Sequence, residues 1–159
     1  MAIQKILIAV DDSKYADRAA GFGFDMARVY QAEVGLVSIV EPIIISPAGS
    51  DSIAGLSPEV SAGNDAEMVR IQADAAENTM HQVVKKYAEG LKITNFTEYG
   101  LTADSILKCG AEFGADLIVV GTHNRTGLDR LFMGSVAEHV VRHSHIPVLV
   151  VPLRESENQ

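Results

Sequence analysis

The residues whose types and spacing best suit chemistry are Gly121, Gly134 and Ser135, in the stretch VVGTHNRTGLDRLFMGSVAEHVV from Val119 to Val141. An apolar run stops at Gly121, and a helical pattern starts at Gly134-Ser135. Glycine lets a chain turn sharply as it leaves a strand, where a side chain would crowd a ligand. A helix opening at Gly134-Ser135 presents unpaired backbone N–H groups and its positive dipole end, a place for an anion. The spacing alone fits equally well a simple turn at Gly121 and an ordinary N-cap at Ser135. Asp11 is the second candidate. It ends the first apolar run, where a carboxylate can either cap the next helix or accept from a ligand.

Other constellations carry less. His139 and His143 lie four apart on a helical pattern and could share a metal, but no third ligand is in view, so surface histidines are expected. Glu138-His139 is not the H-E-x-x-H zinc motif. Gly21-Phe-Gly23 is half a dinucleotide fingerprint placed inside a helix pattern, which points to helix packing. No G-x-x-x-x-G-K-[ST] occurs anywhere, so a Walker-type NTPase is excluded. Cys109 sits in an apolar helical pattern and reads as a small buried hydrophobe.

These residues need elements to position them. Ile3 to Val10 is an Ile/Val-rich run, apolar on both faces, as central strands of parallel sheets are. Asp11-Asp12-Ser13 ends it, and Ala16, Ala19, Ala20, Phe24, Ala27 and Tyr30 follow at helical spacing. Glu33 to Val40 reads as the second strand. Pro42 to Asn64 carries three prolines among glycines and serines and reads as a long exposed loop. A helix is expected over Asp65 to Glu89 with Gly90 as its C-cap, and a short strand over Phe96 to Tyr99. Thr102 is placed to cap a helix reaching Phe113. Ala115 to Val120 reads as the fourth strand, Gly134 or Ser135 to His143 as the last helix, and Val148 to Val151 as the fifth strand. Strand and helix alternate, so an α/β fold with an open five-stranded parallel sheet and helices on both faces is expected. In such sheets ligands bind at the carboxyl ends of the strands where strand order reverses.

The 159 residues suffice for one domain, expected over 1–153, followed by a frayed tail over 154–159. The net charge of −8 argues against nucleic-acid binding, which needs a basic face. No run approaches the roughly 18 apolar residues of a membrane span. A single cysteine and the absence of a leader pattern fit a cytoplasmic location.

The chain resembles the universal stress protein family over nearly its whole length. The family pattern, G-x-x-G, nine residues, then G-[ST], reads here as Gly121-Thr-His-Asn124, RTGLDRLFM and Gly134-Ser135. The flanks ADLIVVGTHNRTGL and GSVAEHVVRHSHIPVLVVP match as well, and KILIAVDDS and EVGLVSIVE resemble the first two strands. The resemblance implies strand order 3-2-1-4-5 (adenine nucleotide alpha hydrolase-like) and ATP, with Mg²⁺, as ligand. It places adenine against Asp11 and the backbone of Ile39, with Ala9 and Val10 lining base and ribose. Gly121, Thr122, Asn124 and Arg125 of the loop, with Gly134, Ser135 and Val136, would hold ribose and phosphates. Asn124 replaces the family's second glycine. Arg125 and Arg130 read otherwise as solvated loop cations. The resemblance further implies a regulatory homodimer in stress response, joined through the Val148–Val151 edge strand, with a further protein partner unidentified. No nucleophile, base and oxyanion stabiliser converge, so slow ATP hydrolysis is the most enzymatic activity expected. The alternatives are a non-nucleotide dimeric interaction protein of the same fold, or an enzyme of phosphoryl or adenylyl transfer.

Overall fold

The computed structural model describes residues 2–42, 58–122 and 133–153, with side chains of the second helix described from Ala66 onward. Its elements are β1 (Lys5–Ala9), α1 (Lys14–Tyr30), β2 (Glu33–Val40), α2 (Pro58–Tyr87), β3 (Ile93–Tyr99), α3 (Thr102–Phe113), β4 (Leu117–Gly121), α4 (Ser135–His143) and β5 (Val148–Val151). The five strands form one parallel sheet in the order β3-β2-β1-β4-β5. This is the order that the family resemblance implies.

Alternation along β1 explains its continuous apolar run. Ile6 and Ile8 face the layer of α1 and α2, packing with Phe24, Leu36, Met80 and Val119. Leu7 faces the layer of α3 and α4, among Val37, Ile106, Phe113, Ile118 and Val140. All three β1 side chains are fully buried, each contributing roughly 1.5–3 kcal/mol of transfer free energy. Gly23 belongs to this packing: a Cβ there would lie 2.5 Å from Cδ1 of Ile8, so a larger residue would require the Ile8 side chain to shift. That is the helix-packing role expected for the Gly21-Phe-Gly23 segment.

Several boundaries differ from the sequence reading. The expected loop from Pro42 to Asn64 is helical from Pro58; residues 43–57 lie outside the described residues. Proline suits the first turn of a helix, where its missing N–H has no partner to lose, and the glycine at 63 costs only about 1 kcal/mol against alanine. β3 begins at Ile93, three residues earlier than expected. It is an edge strand with no fully buried position, so the periodic signal at its start is weak. Thr102 is the first residue of α3 and not its cap. Leu101 holds the cap position and offers no side-chain bond. The acceptor comes from β2's end instead: Glu41 Oε1 accepts from the Thr102 N–H at 3.1 Å and also from its hydroxyl.

α2 is held against α1 at its far end. Asp17 accepts from Lys86 Nζ at 2.7 Å and from the Tyr87 hydroxyl at 3.1 Å, and the Tyr87 ring stacks on Phe24. At the amino ends of β1 and β4, Asp116 Oδ2 accepts from the N–H groups of Gln4 and Lys5 at 2.8 and 3.0 Å. No helix among the described residues is long and apolar enough to cross a membrane.

Candidate functional site

β1 and β4 are neighbours whose chains leave toward opposite sides, β1 continuing to β2 and β4 to β5. Their carboxyl ends open into a cleft of about 900 Å³. Three helices whose starts are described begin at its wall, and their N-termini differ. α1 is capped by Ser13, whose Oγ accepts from the Ala16 N–H at 3.2 Å. α3 is capped by Glu41. α4 begins at Gly134, in extended backbone (φ −57°, ψ 153°), with no side-chain cap. Among the described residues no side chain meets the first-turn donors of α4, and such donors suit an anion from outside the chain.

Ala9, Val10, Asp11, Ile39, Gly121, Gly134, Ser135 and Val136 all line this cleft. They come from four separate stretches of chain, so the topology and not the sequence brings them together. Asp11 is exposed, and its Oδ1 accepts from the Ser13 N–H at 2.8 Å, an Asx turn that leaves Oδ2 for another donor. Val10 donates its N–H to the Val37 carbonyl at 2.9 Å, which fixes the β1 exit against β2. Thr122 is not on the wall. Its N–H donates to the Val151 carbonyl at 3.1 Å, so that donor is spent within the sheet. Asn124 and Arg125 lie outside the described residues.

Sequence reasoning missed much of the wall. Glu41 and Asp12 add carboxylates beside Asp11, and α2 adds Gln72, Ala75, Ala76 and Thr79. The α2 residues recur at spacings of three and four, but their small and polar types look like a solvent-facing stripe. Of the apolar residues of α2, Met68 and Ile71 are 48% and 56% exposed, while Ala76, Met80 and Val83 are buried.

The remaining candidates resolve simply. Cys109 is buried, and burial, with Glu98 and Glu112 adding to it, pushes its thiol up to about 12, so it is an inert core residue. His139 Nε2 lies 2.9 Å from Asp104 Oδ1, and His143 stacks on the His139 ring. No cluster of three metal-ligating side chains occurs among the described residues.

Known proteins share this architecture. Over 156 residues the chain is 35% identical to the universal stress protein MJ0531 of Methanocaldococcus jannaschii, an alignment covering 97% of this chain and 85% of that one. The solved structure of MJ0577 from the same organism superposes with a TM-score of 0.80 at 25% identity, covering 98% of this chain and 99% of that one. A universal stress protein from Archaeoglobus fulgidus, solved in complex with dAMP, matches with a TM-score of 0.62 at 23% identity over 94% of this chain and 98% of that one. The model of the universal stress protein family matches residues 2–152, and the chain belongs to that family.

Proposed function

We propose that the cleft binds ATP with Mg²⁺, and that the protein is a nucleotide-binding regulatory homodimer of the stress response, joined through the Val148–Val151 edge. The observation that carries the nucleotide reading is that the start of α4, without a side-chain cap among the described residues, lines one cleft with Asp11: a donor-rich end for phosphates and an acceptor for an adenine amine. The dAMP complex of the fold neighbour supports an adenine nucleotide as the class. ATP in this reading is a ligand whose differential affinity shifts a conformational population. Asp11, the Ile39 backbone, Ala9 and Val10 take the base end. Gly121, Gly134, Ser135 and Val136 take the phosphate end, together with Asn124 and Arg125 of the intervening loop.

The edge of β5 supports the dimer. Ile118 donates to the Pro147 carbonyl and Thr122 to the Val151 carbonyl, so odd-numbered β5 residues pair with β4. In a parallel ladder the backbone groups of Val148 and Val150 then face away from the sheet, ready to pair with a second strand.

Mass spectrometry of the purified native protein tests the nucleotide reading. Carried-over ATP, or calorimetric binding at sub-millimolar concentration, is expected. No carry-over together with no binding at millimolar ATP overturns it in favour of an interaction protein of the same fold.

A further inference from the structure

Gln72 presents an anomaly in the cleft. It sits on α2 in the stripe with Ala75, Ala76 and Thr79 that lines the wall. Its Oε1 is hidden from solvent and has no hydrogen-bond partner among the described residues. A buried carbonyl oxygen left without a donor is costly, and such an atom in a native protein calls for an explanation. One residue away from it on the stripe the side chains are small: Ala75 and Ala76 leave room for a ligand to reach the helix.

Position decides which part of a ligand would supply the donor. α2 packs on β2, β3 and α1, whereas Gly134 and Ser135 belong to the start of α4, which packs on α3 and β5. Gln72 is therefore on the β2 side of the cleft, with Asp11 and Ile39, away from the end suited to phosphates. Phosphate oxygens carry no proton to give at neutral pH in any case. The base is the part that offers N–H groups on this side.

We infer that Gln72 is a base-reading residue, its amide turning toward the cleft when a purine binds so that Oε1 accepts a hydrogen bond from the exocyclic 6-amino group. This rests on the nucleotide reading above and sharpens it. An exocyclic amine has two N–H bonds, and the β2 side of the cleft offers two acceptors for them, Asp11 Oδ2 and Gln72 Oε1. The site then selects a 6-amino purine over a 6-oxo purine, because a 6-oxo group has no proton to donate and leaves both acceptors unmatched.

The test is the ratio of ATP to inosine triphosphate affinity, measured by calorimetry with Mg²⁺ on the full chain and on Gln72→Met and Gln72→Glu. Glutamate keeps an acceptor and removes the amide donors; methionine keeps length and removes both. The ratio cancels any general effect of a substitution on the cleft. The wild type is expected to prefer ATP by about tenfold or more, and Gln72→Met to lose about five- to tenfold of that preference, the scale of one hydrogen bond. Gln72→Glu is expected to keep it. An unchanged ratio in Gln72→Met overturns the inference while leaving ATP binding intact, as does a ratio lost equally in both variants. A wild type that binds neither nucleotide overturns the nucleotide reading and this inference together.

Discussion

Gly121 lies against the backbone of Tyr15: a Cβ on Gly121 would sit 2.5 Å from the Tyr15 carbonyl oxygen and 2.8 Å from its carbonyl carbon. The end of β4 thus meets the first turn of α1 backbone to backbone. The glycine that the sequence suggests for a turn beside a ligand is required by helix–strand packing, and that packing is what holds α1 beside the cleft. Tyr15, Ala16 and Gly121 all line the wall, so the contact also shapes it.

Gly121→Ala is accordingly expected to destabilise the protein. A methyl group cannot displace a helical carbonyl cheaply, and overpacking of this kind costs typically about 1–3 kcal/mol. Urea unfolding followed by circular dichroism measures it. A variant as stable as the wild type would show that α1 yields without cost.

Asp11 has two roles that substitution separates. Its Oδ1 holds the Ser13 N–H, and its second oxygen is the one assigned to an adenine amine. Asp11→Ala loses both and is expected to weaken ATP by roughly 1–3 kcal/mol. Asp11→Asn keeps an acceptor for Ser13 but turns an NH₂ group toward the amine. It should retain wild-type stability and still bind ATP as poorly as the alanine variant. Full ATP affinity in Asp11→Asn would remove Asp11 from base recognition.

Much of this was legible in the sequence, and the reasons differ from residue to residue. The parallel sheet was legible from alternation because β1, β2 and β4 are apolar on both faces, a strong local signal, whereas the strand order came from the family resemblance. Asp11, Gly121 and Gly134 were legible because special backbone positions at element ends restrict residue type. Glu41 was not: its bonds to Thr102 span 61 positions and come from the approach of β2 to α3. Gln72 was not legible either, since a glutamine on a long helix looks solvated until tertiary packing hides its oxygen. The early start of α2 escaped because Pro58 and the glycine and asparagine at 63 and 64 resemble a loop when read one by one.

The β5 edge gives a cleaner dimer test than a charge in the strand would. Leu149 packs against the core on the α1 side, so a lysine there would damage the fold as well as the edge. Val150→Pro removes one outward N–H and leaves the bonds to β4 in place, the arrangement in which a sheet tolerates proline. Light scattering after size exclusion is expected to show a monomer. A stable dimer from this variant places the contact elsewhere.

The Glu33 carboxylate links β2 to β3. It accepts from Lys92 Nζ at 3.0 Å and from Thr94 Oγ1 at 3.2 Å. The Lys92 hydrogen bond, with Thr94 and Lys5 assisting, outweighs burial and holds the carboxyl below its ordinary value. A carboxyl depressed in the folded state contributes stability above its unfolded pKa and loses it as pH falls through the folded one. Glu33→Gln should therefore be less stable than the wild type near neutrality, and the two should converge in acid below the usual carboxylate range. A gap that persists unchanged into acid would assign the effect to packing.

If the cleft binds ATP as proposed, the charge on its wall predicts that a divalent cation is required. Among its described residues are the carboxylates Asp11, Asp12 and Glu41, and no lysine or arginine. A triphosphate brings further negative charge into that field, and like charges a few ångströms apart repel by about 1 kcal/mol per pair in water and more where water is excluded. The α4 N-terminus offsets only part of this, as a helix dipole carries about half a unit charge. A bound Mg²⁺ would supply the remaining counter-charge to the phosphates. Removing it with EDTA is expected to lower ATP affinity at least about tenfold, equivalent to about 1.4 kcal/mol, while adenosine, which lacks phosphates, should bind equally with and without the metal. ATP affinity unchanged by EDTA would transfer phosphate neutralisation to the loop arginines. Arg125→Gln would then weaken ATP where chelation does not.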